Sequence, residues 1–95
     1  MKYKVGDQVV VRVETSKEGC KRILIRDPKP DSKVVEKAYP IAIKHEMEQS
    51  YSIIIDDDIV GWYISKFHVK HNNVDEKFLN KKFYDVTEEF IVRKK

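Results

Sequence analysis

Side chains able to act as catalysts or metal ligands are few in this chain, and their spacing matches no catalytic or metal-binding pattern. His45, His68 and His71 are the only histidines, and none has a carboxylate or cysteine pair at the spacing of metal ligands. Cys20 is the only cysteine, so it has no partner for a disulfide or a zinc site, and no activating base is identifiable. We therefore predict no metal site and keep an enzyme acting through Cys20 only as a reserve hypothesis.

The acidic and hydroxyl side chains likewise match no metal-binding or catalytic pattern. Asp56, Asp57 and Asp58 are consecutive, but the chain lacks the patterned oxygen ligands and the later glutamate of a calcium loop. A solvated turn is the prediction for these residues. The serines near the middle of the chain have no nucleophile-elbow context, and the three glycines are isolated instead of grouped to cradle a phosphate. The sequence thus predicts a protein without catalytic residues or a cofactor.

Aromatic and basic side chains fit a binding function better. The aromatic candidates, Tyr51, Trp62, Tyr63 and Phe67, lie in or beside a predicted hairpin. Because successive residues of a strand face opposite sides, we expect one of Trp62 and Tyr63 to fill the core and the other to reach the surface. The other interpretation is that both pack, one inside a barrel and one beneath a helix. The basic candidates are Lys21, Arg22, Arg26 and Lys29.

Strands must position most of these side chains. Gly6 and Asp7 predict a turn, after which Val9, Val11 and Val13 alternate on one face of a strand that starts near Gln8. The segment 27–32 contains two prolines and predicts an exposed, mobile loop, whereas 34–39 is compatible with either a helical turn or a strand. Further strands are predicted over 20–26, 41–44, 51–55 and 59–64, the last three forming a meander.

The last third of the chain predicts a helix and a final strand. Asn73 followed by Glu76 is typical of a capped helix start, and Phe78, Leu79 and Phe83 recur at near-helical spacing. We therefore expect a short amphipathic helix over about 74–83 that covers one mouth of a barrel. The apolar run 90–92 predicts a last strand before the basic carboxyl end.

Length and composition restrict the class of protein. With 95 residues, 41% hydrophobic and 37% charged, the chain predicts one soluble domain with one modest core. No apolar run approaches the length of a membrane span, no secretory signal is recognisable, and the lone cysteine agrees with a reducing compartment, so a cytoplasmic location without membrane contact is expected. The net charge is +3, and residues 1–47 carry eleven basic and seven acidic side chains.

Four short motifs resemble the SH3-like barrel modules that phages and other mobile elements of Gram-positive bacteria encode. They are Lys4-Val5-Gly6-Asp7-x-Val9-x-Val11, Ile41-x-Ile43, Tyr51-x-Ile53 and Gly61-Trp62-Tyr63-Ile64. The resemblance covers residues 2–68 and leaves 69–95 as an extension of a single domain, 1–95. It implies a mainly β fold: a small SH3-like antiparallel barrel, here with a short C-terminal helix and a final short strand.

The resemblance and the absence of catalytic residues together predict a non-enzymatic protein-interaction module from a phage or mobile element. Its expected partner is a host protein, and inhibition of a host defence protein such as a CRISPR nuclease is the specific version of this hypothesis. The alternative is a nucleic-acid-binding SH3-like barrel, in which lysines and arginines of 17–33 contact phosphates while Tyr51 or Trp62 stacks on a base.

Overall fold

Seven β-strands, one α-helix and two short 3-10 helices make up the fold in the computed structural model, which describes residues 1–95. The prediction of a mainly β, antiparallel fold is confirmed, and the sheet curls into a half-barrel. The 3-10 helices lie at Glu76–Phe78 and Glu88–Phe90. The other elements are β1 (Gln8–Thr15), β2 (Lys21–Ile23), β3 (Lys33–His45), β4 (Ser50–Ile54), β5 (Trp62–Tyr63), α1 (Lys66–His71), β6 (Lys82–Thr87) and β7 (Ile91–Lys94).

Strand β1 begins at the predicted turn. Gly6 has a φ of +94°, a conformation that glycine adopts without strain, and the Asp7 N–H donates to the Lys4 carbonyl at 3.0 Å. The three alternating valines that follow are buried, as predicted. One edge of β1 pairs with β3, and the other pairs first with β7 and then with β2. The first strand of the sequence therefore becomes the centre of this part of the sheet.

Strand β3 is 13 residues long and connects the two parts of the sheet. Its residues 33–40 pair with β1, and its residues 41–45 pair with β4. The ambiguous segment 34–39 is thus extended, because β1 supplies hydrogen-bond partners along its whole length. Pro40 lies where β3 changes partner, a position at which its missing N–H is tolerated.

The predicted hairpin between 51–55 and 59–64 is wrong, and so is the predicted helix over 74–83. Strand β4 pairs with β3 and β6, whereas the two-residue strand β5 pairs only with β6. Asn73 and Asn80 adopt left-handed φ values of 54° and 66°, so a helix cannot run through this segment. The α-helix instead precedes it, and Phe83 belongs to β6. The final strand is confirmed as β7.

Two clusters of buried side chains stabilise the sheet. The larger contains twelve residues, among them Val9, Ile41 and Tyr51, and the smaller contains five, among them Ile64 and Phe83. The outer strand β2 lies next to the segment that precedes β5, and the Val60 N–H of that segment donates to the Lys21 carbonyl of β2 at 2.9 Å. This contact brings the two ends of the curled sheet together.

Gly61 allows β5 to lie close to β6. A Cβ added at Gly61 would lie 2.5 Å from the Phe83 carbonyl oxygen and 2.9 Å from Ile55 Cδ1. We expect Gly61→Ala to lower the free energy of unfolding by about 1 to 3 kcal/mol, because the strand must move away from β6. Urea unfolding followed by the fluorescence of Trp62, the only tryptophan, measures this.

The control for this experiment is Met47→Ala, since Met47 is 96% exposed. Its free energy of unfolding should stay within about 0.5 kcal/mol of the natural protein. Equal stability of Gly61→Ala and the natural protein would contradict the close approach of the two strands.

Candidate functional site

Trp62 and Tyr63 are both exposed, at 59% and 56% of their surface, so the expectation that one of them fills the core is wrong. The interpretation that both are packed is wrong as well. The reason is the length of β5: this edge strand has two residues, and the core position falls to Ile64, which is fully buried. Both aromatic side chains are left at the rim of the sheet.

Trp62 belongs to a continuous series of aromatic rings that we call the aromatic strip. Phe67 is the most exposed aromatic in it, at 64%, and Phe83 is buried. The strip connects β6 and β5 to the far end of α1. Its ring centroids are separated by 5.4 Å for Tyr84–Trp62, 6.3 Å for Trp62–Phe83, 5.3 Å for Phe83–His68, 6.4 Å for His68–Phe67 and 4.3 Å for Phe67–His71.

A capping box holds α1 in place beneath the strip. Ser65 Oγ accepts from the His68 N–H, and His68 Nδ1 accepts from the Ser65 N–H at 3.0 Å. This bond fixes the imidazole of His68 against Phe83, while Val69 packs on the smaller core cluster. Because Phe67 and His71 are one turn apart, the helix presents them together on its exposed side.

Tyr63 follows Trp62 in β5 but makes no ring contact with the strip, and it has a cation over its ring. Lys82 Nζ is 5.5 Å from the centroid of Tyr63 and also donates to the Asp57 carbonyl at 3.0 Å. Trp62, Tyr63 and Phe67 are the three predicted aromatic contact residues that the structure leaves exposed. They lie on β5 and at the start of α1, the helix that follows it.

Tyr51, by contrast, is fully buried, so it cannot contact a partner or stack on a base. Its hydroxyl donates to Glu88 Oε1 at 2.5 Å and accepts from the Tyr3 N–H at 3.2 Å. Burial and then the hydrogen bond to Glu88 raise the pKa of Tyr51. Alternation with Ile53, which is also buried, is the sequence signal for this core role.

The four basic candidates lie on β2 and the loop after it, but they do not form an open cationic surface. Lys21 Nζ is 2.7 Å from Asp58 Oδ2, and Arg26 Nη2 is 2.8 Å from Glu14 Oε1. Arg22 is exposed and makes no ion pair. The backbone N–H of Lys29 donates to Glu14. Two of the four positive charges are thus already neutralised.

Glu14 is a buried carboxylate that sequence reasoning missed, although an acidic residue directly after the alternating valines of β1 was a signal. It is 3% exposed and accepts from the Lys29 N–H at 2.7 Å, from Arg26 and from Ser32 Oγ at 2.9 Å. The Lys29 hydrogen bond, followed by that of Arg26, lowers the pKa of Glu14 to about 2. Glu14 thereby anchors the proline-containing loop that was predicted to be mobile.

Ser52, His45 and Asp85 meet across β3, β4 and β6, yet their arrangement is not that of a catalytic triad. Ser52 Oγ donates to Asp85 Oδ1, and the same nitrogen of His45, Nε2, lies 2.8 Å from Ser52 Oγ and 3.8 Å from Asp85 Oδ1. In a catalytic triad the imidazole lies between the serine and the carboxylate, and each of its two nitrogens bonds one of these groups. Ser52 is also only 1% exposed, so it is not accessible to a substrate. The contacts of the cluster instead link the neighbouring strands β3, β4 and β6.

No group of three His, Cys, Asp or Glu side chains lies in a geometry that could hold a metal ion. None of the helices has the length and apolar character that crossing a membrane requires. Cys20 is exposed in the loop between β1 and β2.

Comparison with known proteins finds no match to a protein-family model, a curated protein or a solved structure. The resemblance of residues 2–68 to SH3-like modules consequently stays a prediction. The aromatic strip and its surroundings are the observations from which a function can be inferred.

The low pKa of Glu14 makes stability depend on pH. Because the folded pKa of about 2 lies below the ordinary value of 4.5, the stabilising contribution is complete above about pH 5 and is lost as the pH falls through the folded pKa. We expect the free energy of unfolding to fall less steeply on acidification in Glu14→Gln than in the natural protein. Urea unfolding at several pH values between neutral and acidic measures the two slopes.

Glu18→Gln is the control, since Glu18 is exposed and forms no ion pair. Its slope should match that of the natural protein. Identical slopes for the natural protein and Glu14→Gln would show that the Glu14 carboxylate does not hold the loop in solution.

The buried hydroxyl of Tyr51 should contribute to stability, whereas the exposed hydroxyl of Tyr63 should not. Tyr51→Phe removes the hydrogen bonds to Glu88 and Tyr3, so we expect the free energy of unfolding to fall by about 1 kcal/mol. Tyr63→Phe is the matched control and should change it by less than about 0.5 kcal/mol. Thermal or urea unfolding measures both, and equal effects of the two variants would contradict the structural role of Tyr51.

Proposed function

We propose that this protein is a non-enzymatic protein-interaction module that contacts its partner through the aromatic strip and the adjacent Tyr63. The observation that carries the proposal is the exposure of Trp62, Tyr63 and Phe67, each more than half exposed and all within residues 62–67, with Trp62 and Phe67 joined through the rings of Phe83 and His68. Isolated exposed apolar residues are ordinary on a protein surface, but a contiguous group of large aromatic side chains marks an interaction site.

The way in which these side chains are held supports the proposal. Trp62 stacks on Tyr84 with an interplanar angle of 21°, and Phe67 lies 4.3 Å from His71. Their conformations are therefore restricted before a partner arrives, which reduces the entropy lost on binding. Aromatic side chains that bury a large area at low entropic cost dominate the binding energy of many interfaces.

Nucleic-acid binding through residues 17–33 is the second candidate and has weaker support. The remaining unpaired cations in or beside this region, such as Lys17, Arg22 and Lys33, give it some charge, but Lys21 and Arg26 are in ion pairs. Tyr51 is buried and Trp62 lies on a different strand, β5. Affinity for RNA or DNA that does not fall steeply with salt would remove this candidate.

The specific version of the proposal comes from the resemblance alone. We infer from it that the chain is an SH3-like module of a phage or mobile element, that it acts in the cytoplasm, and that its partner is a host protein. Inhibition of a host defence protein such as a CRISPR nuclease stays a prediction of this resemblance.

Partner capture from extract of a Gram-positive host tests the proposed surface. Tagged natural protein should retain a host protein, and Trp62→Ser/Phe67→Ser should lose at least about 90% of it, because aromatic anchors supply most of the binding energy at an interface. Quantitative mass spectrometry of nuclease-treated and untreated extracts is the measurement. A partner that disappears after nuclease treatment would favour the nucleic-acid candidate.

The matched control is Val34→Ser/Val35→Ser on the first half of β3, where two apolar side chains are 39% and 51% exposed. Thermal unfolding confirms that all variants are folded. Retention of the same partner by the natural protein, the strip variant and the control would contradict the proposal.

A further inference from the structure

The first half of β3 is an open edge of the sheet. Residues 33–40 pair with β1 on one side, and β4 pairs with β3 only from Ile41 onward. No strand lies on the other side of residues 33–40. Residues 33–37 are all exposed, and they include Val34 and Val35. A long exposed edge with apolar side chains is a place where another strand can pair.

The backbone of three residues points to this open side. The Ile41 N–H donates to the Asp7 carbonyl at 2.9 Å, so the odd-numbered residues of β3 bond to β1. Antiparallel strands bond through alternate residues. The N–H and C=O groups of Val34, Glu36 and Ala38 therefore point away from β1 and have no hydrogen-bond partner within the chain.

A second copy of the same strand can satisfy all of these groups at once. If two copies of β3 pair antiparallel about a two-fold axis at Glu36, Val34 lies opposite Ala38 of the second copy, and Glu36 lies opposite its own equivalent. Two residues opposite each other in this way exchange both of their backbone hydrogen bonds. Every N–H and C=O group of the open edge then has a partner.

Other symmetric registers are opposed by charge. An axis at Val35 places Lys33 opposite Lys37 of the second copy, and an axis at Lys37 places that lysine opposite its own equivalent. Like charges directly opposite each other destabilise a pair of strands. With the axis at Glu36, each lysine lies opposite an uncharged side chain, Val35 or Tyr39.

The two glutamates at this axis have their charge compensated. Arg12 lies directly opposite Glu36 in the ladder with β1, and Arg93 Nη1 is 2.9 Å from Glu36 Oε1. Arg12 forms no ion pair of its own. A second copy therefore brings its Glu36 to a place where each copy supplies two arginines, which is charge complementarity between identical surfaces.

The space in which the added strand would lie is free. It continues the line of β4, which ends at Ile54. A groove of about 400 Å³ lies beyond that point, and it is lined by Tyr39 and Pro40 of β3, by residues 54–57 and by Lys81. The end of the second copy's strand therefore has room beside β3.

We propose that two copies of this protein pair antiparallel through residues 33–39 of β3, about a two-fold axis at Glu36, so that their sheets become continuous. Such a contact uses the same patch on both copies and closes on itself. The proposal goes beyond the proposed function, because the aromatic strip lies on β5, β6 and α1, on the other side of β4 in the order of strands. Its test does not depend on the partner of the strip.

Sedimentation velocity at increasing protein concentration tests this inference. We expect monomers at about 1 μM and mainly dimers at about 500 μM. Ala38→Pro should raise the dissociation constant of the dimer at least about tenfold, because it removes an N–H donor that only the second copy can use. Natural protein that stays monomeric at about 500 μM would overturn the inference.

Charge reversal at the axis gives the second arm of the test. Glu36→Lys should raise the dissociation constant at least about tenfold, because two lysines would then lie among the arginines. The matched control is Glu48→Lys, which makes the same charge change at an exposed residue in the turn between β3 and β4. It should leave the dissociation constant unchanged, and an equal loss in both variants would overturn the inference.

Disulfide crosslinking measures the register. In a Cys20→Ser background, Glu36→Cys should form a covalent dimer under mild oxidation, because the Cα atoms of such opposite residues are about 5.5 Å apart. Val34→Cys is the matched control, since its equivalents would be separated by more than about 13 Å along the paired strands. Faster crosslinking of Val34→Cys than of Glu36→Cys would overturn the inference.

Discussion

The pairing of one long strand with two different neighbours is the constraint on which the rest of the structure depends. Strand β3 forms a ladder with β1 over residues 33–40 and a second ladder with β4 over residues 41–45, with a register irregularity between Ile41 and Ile43. Its buried residues serve both cores: Tyr39 and Ile41 belong to the larger cluster, and Ala42 and Ile43 to the smaller. The irregularity between Ile41 and Ile43 contributes to the curl of the sheet, because a bulge bends its strand and increases the local twist.

This curl decides where the aromatic side chains lie. Strand β6 continues the sheet from β4, so β5 remains as a two-residue edge, and the helix α1 follows it immediately. The core is completed by Ile64 and Phe83, and Trp62, Tyr63 and Phe67 are left outside. The fold thus leaves three large aromatic groups at its rim while other apolar side chains fill its core.

Polar contacts with buried carboxylate or hydroxyl groups hold the loops and the amino terminus. Glu14 ties the proline-containing loop to β1, and the Tyr51 hydroxyl and Glu88 tie the first residues of the chain to the end of β6. These contacts occupy charged and aromatic side chains that the sequence alone predicts to be binding residues. Tyr51, Lys21 and Arg26 are therefore occupied within the fold, and the open surface lies elsewhere.

Local patterns in the sequence by themselves determined strands β1 and β4, the turn at Gly6 and the last strand, because alternating apolar residues and a glycine turn act over a few residues. They failed for Phe78 and Phe83, whose spacing is near-helical, since Asn80 in a left-handed conformation and the open edge of β4 draw Phe83 into the sheet. Only the tertiary structure decided that β5 pairs with β6, that Tyr51 is buried and that the aromatic strip exists. These features depend on contacts between residues distant in the chain, and the spacing of neighbouring residues carries no information about such contacts.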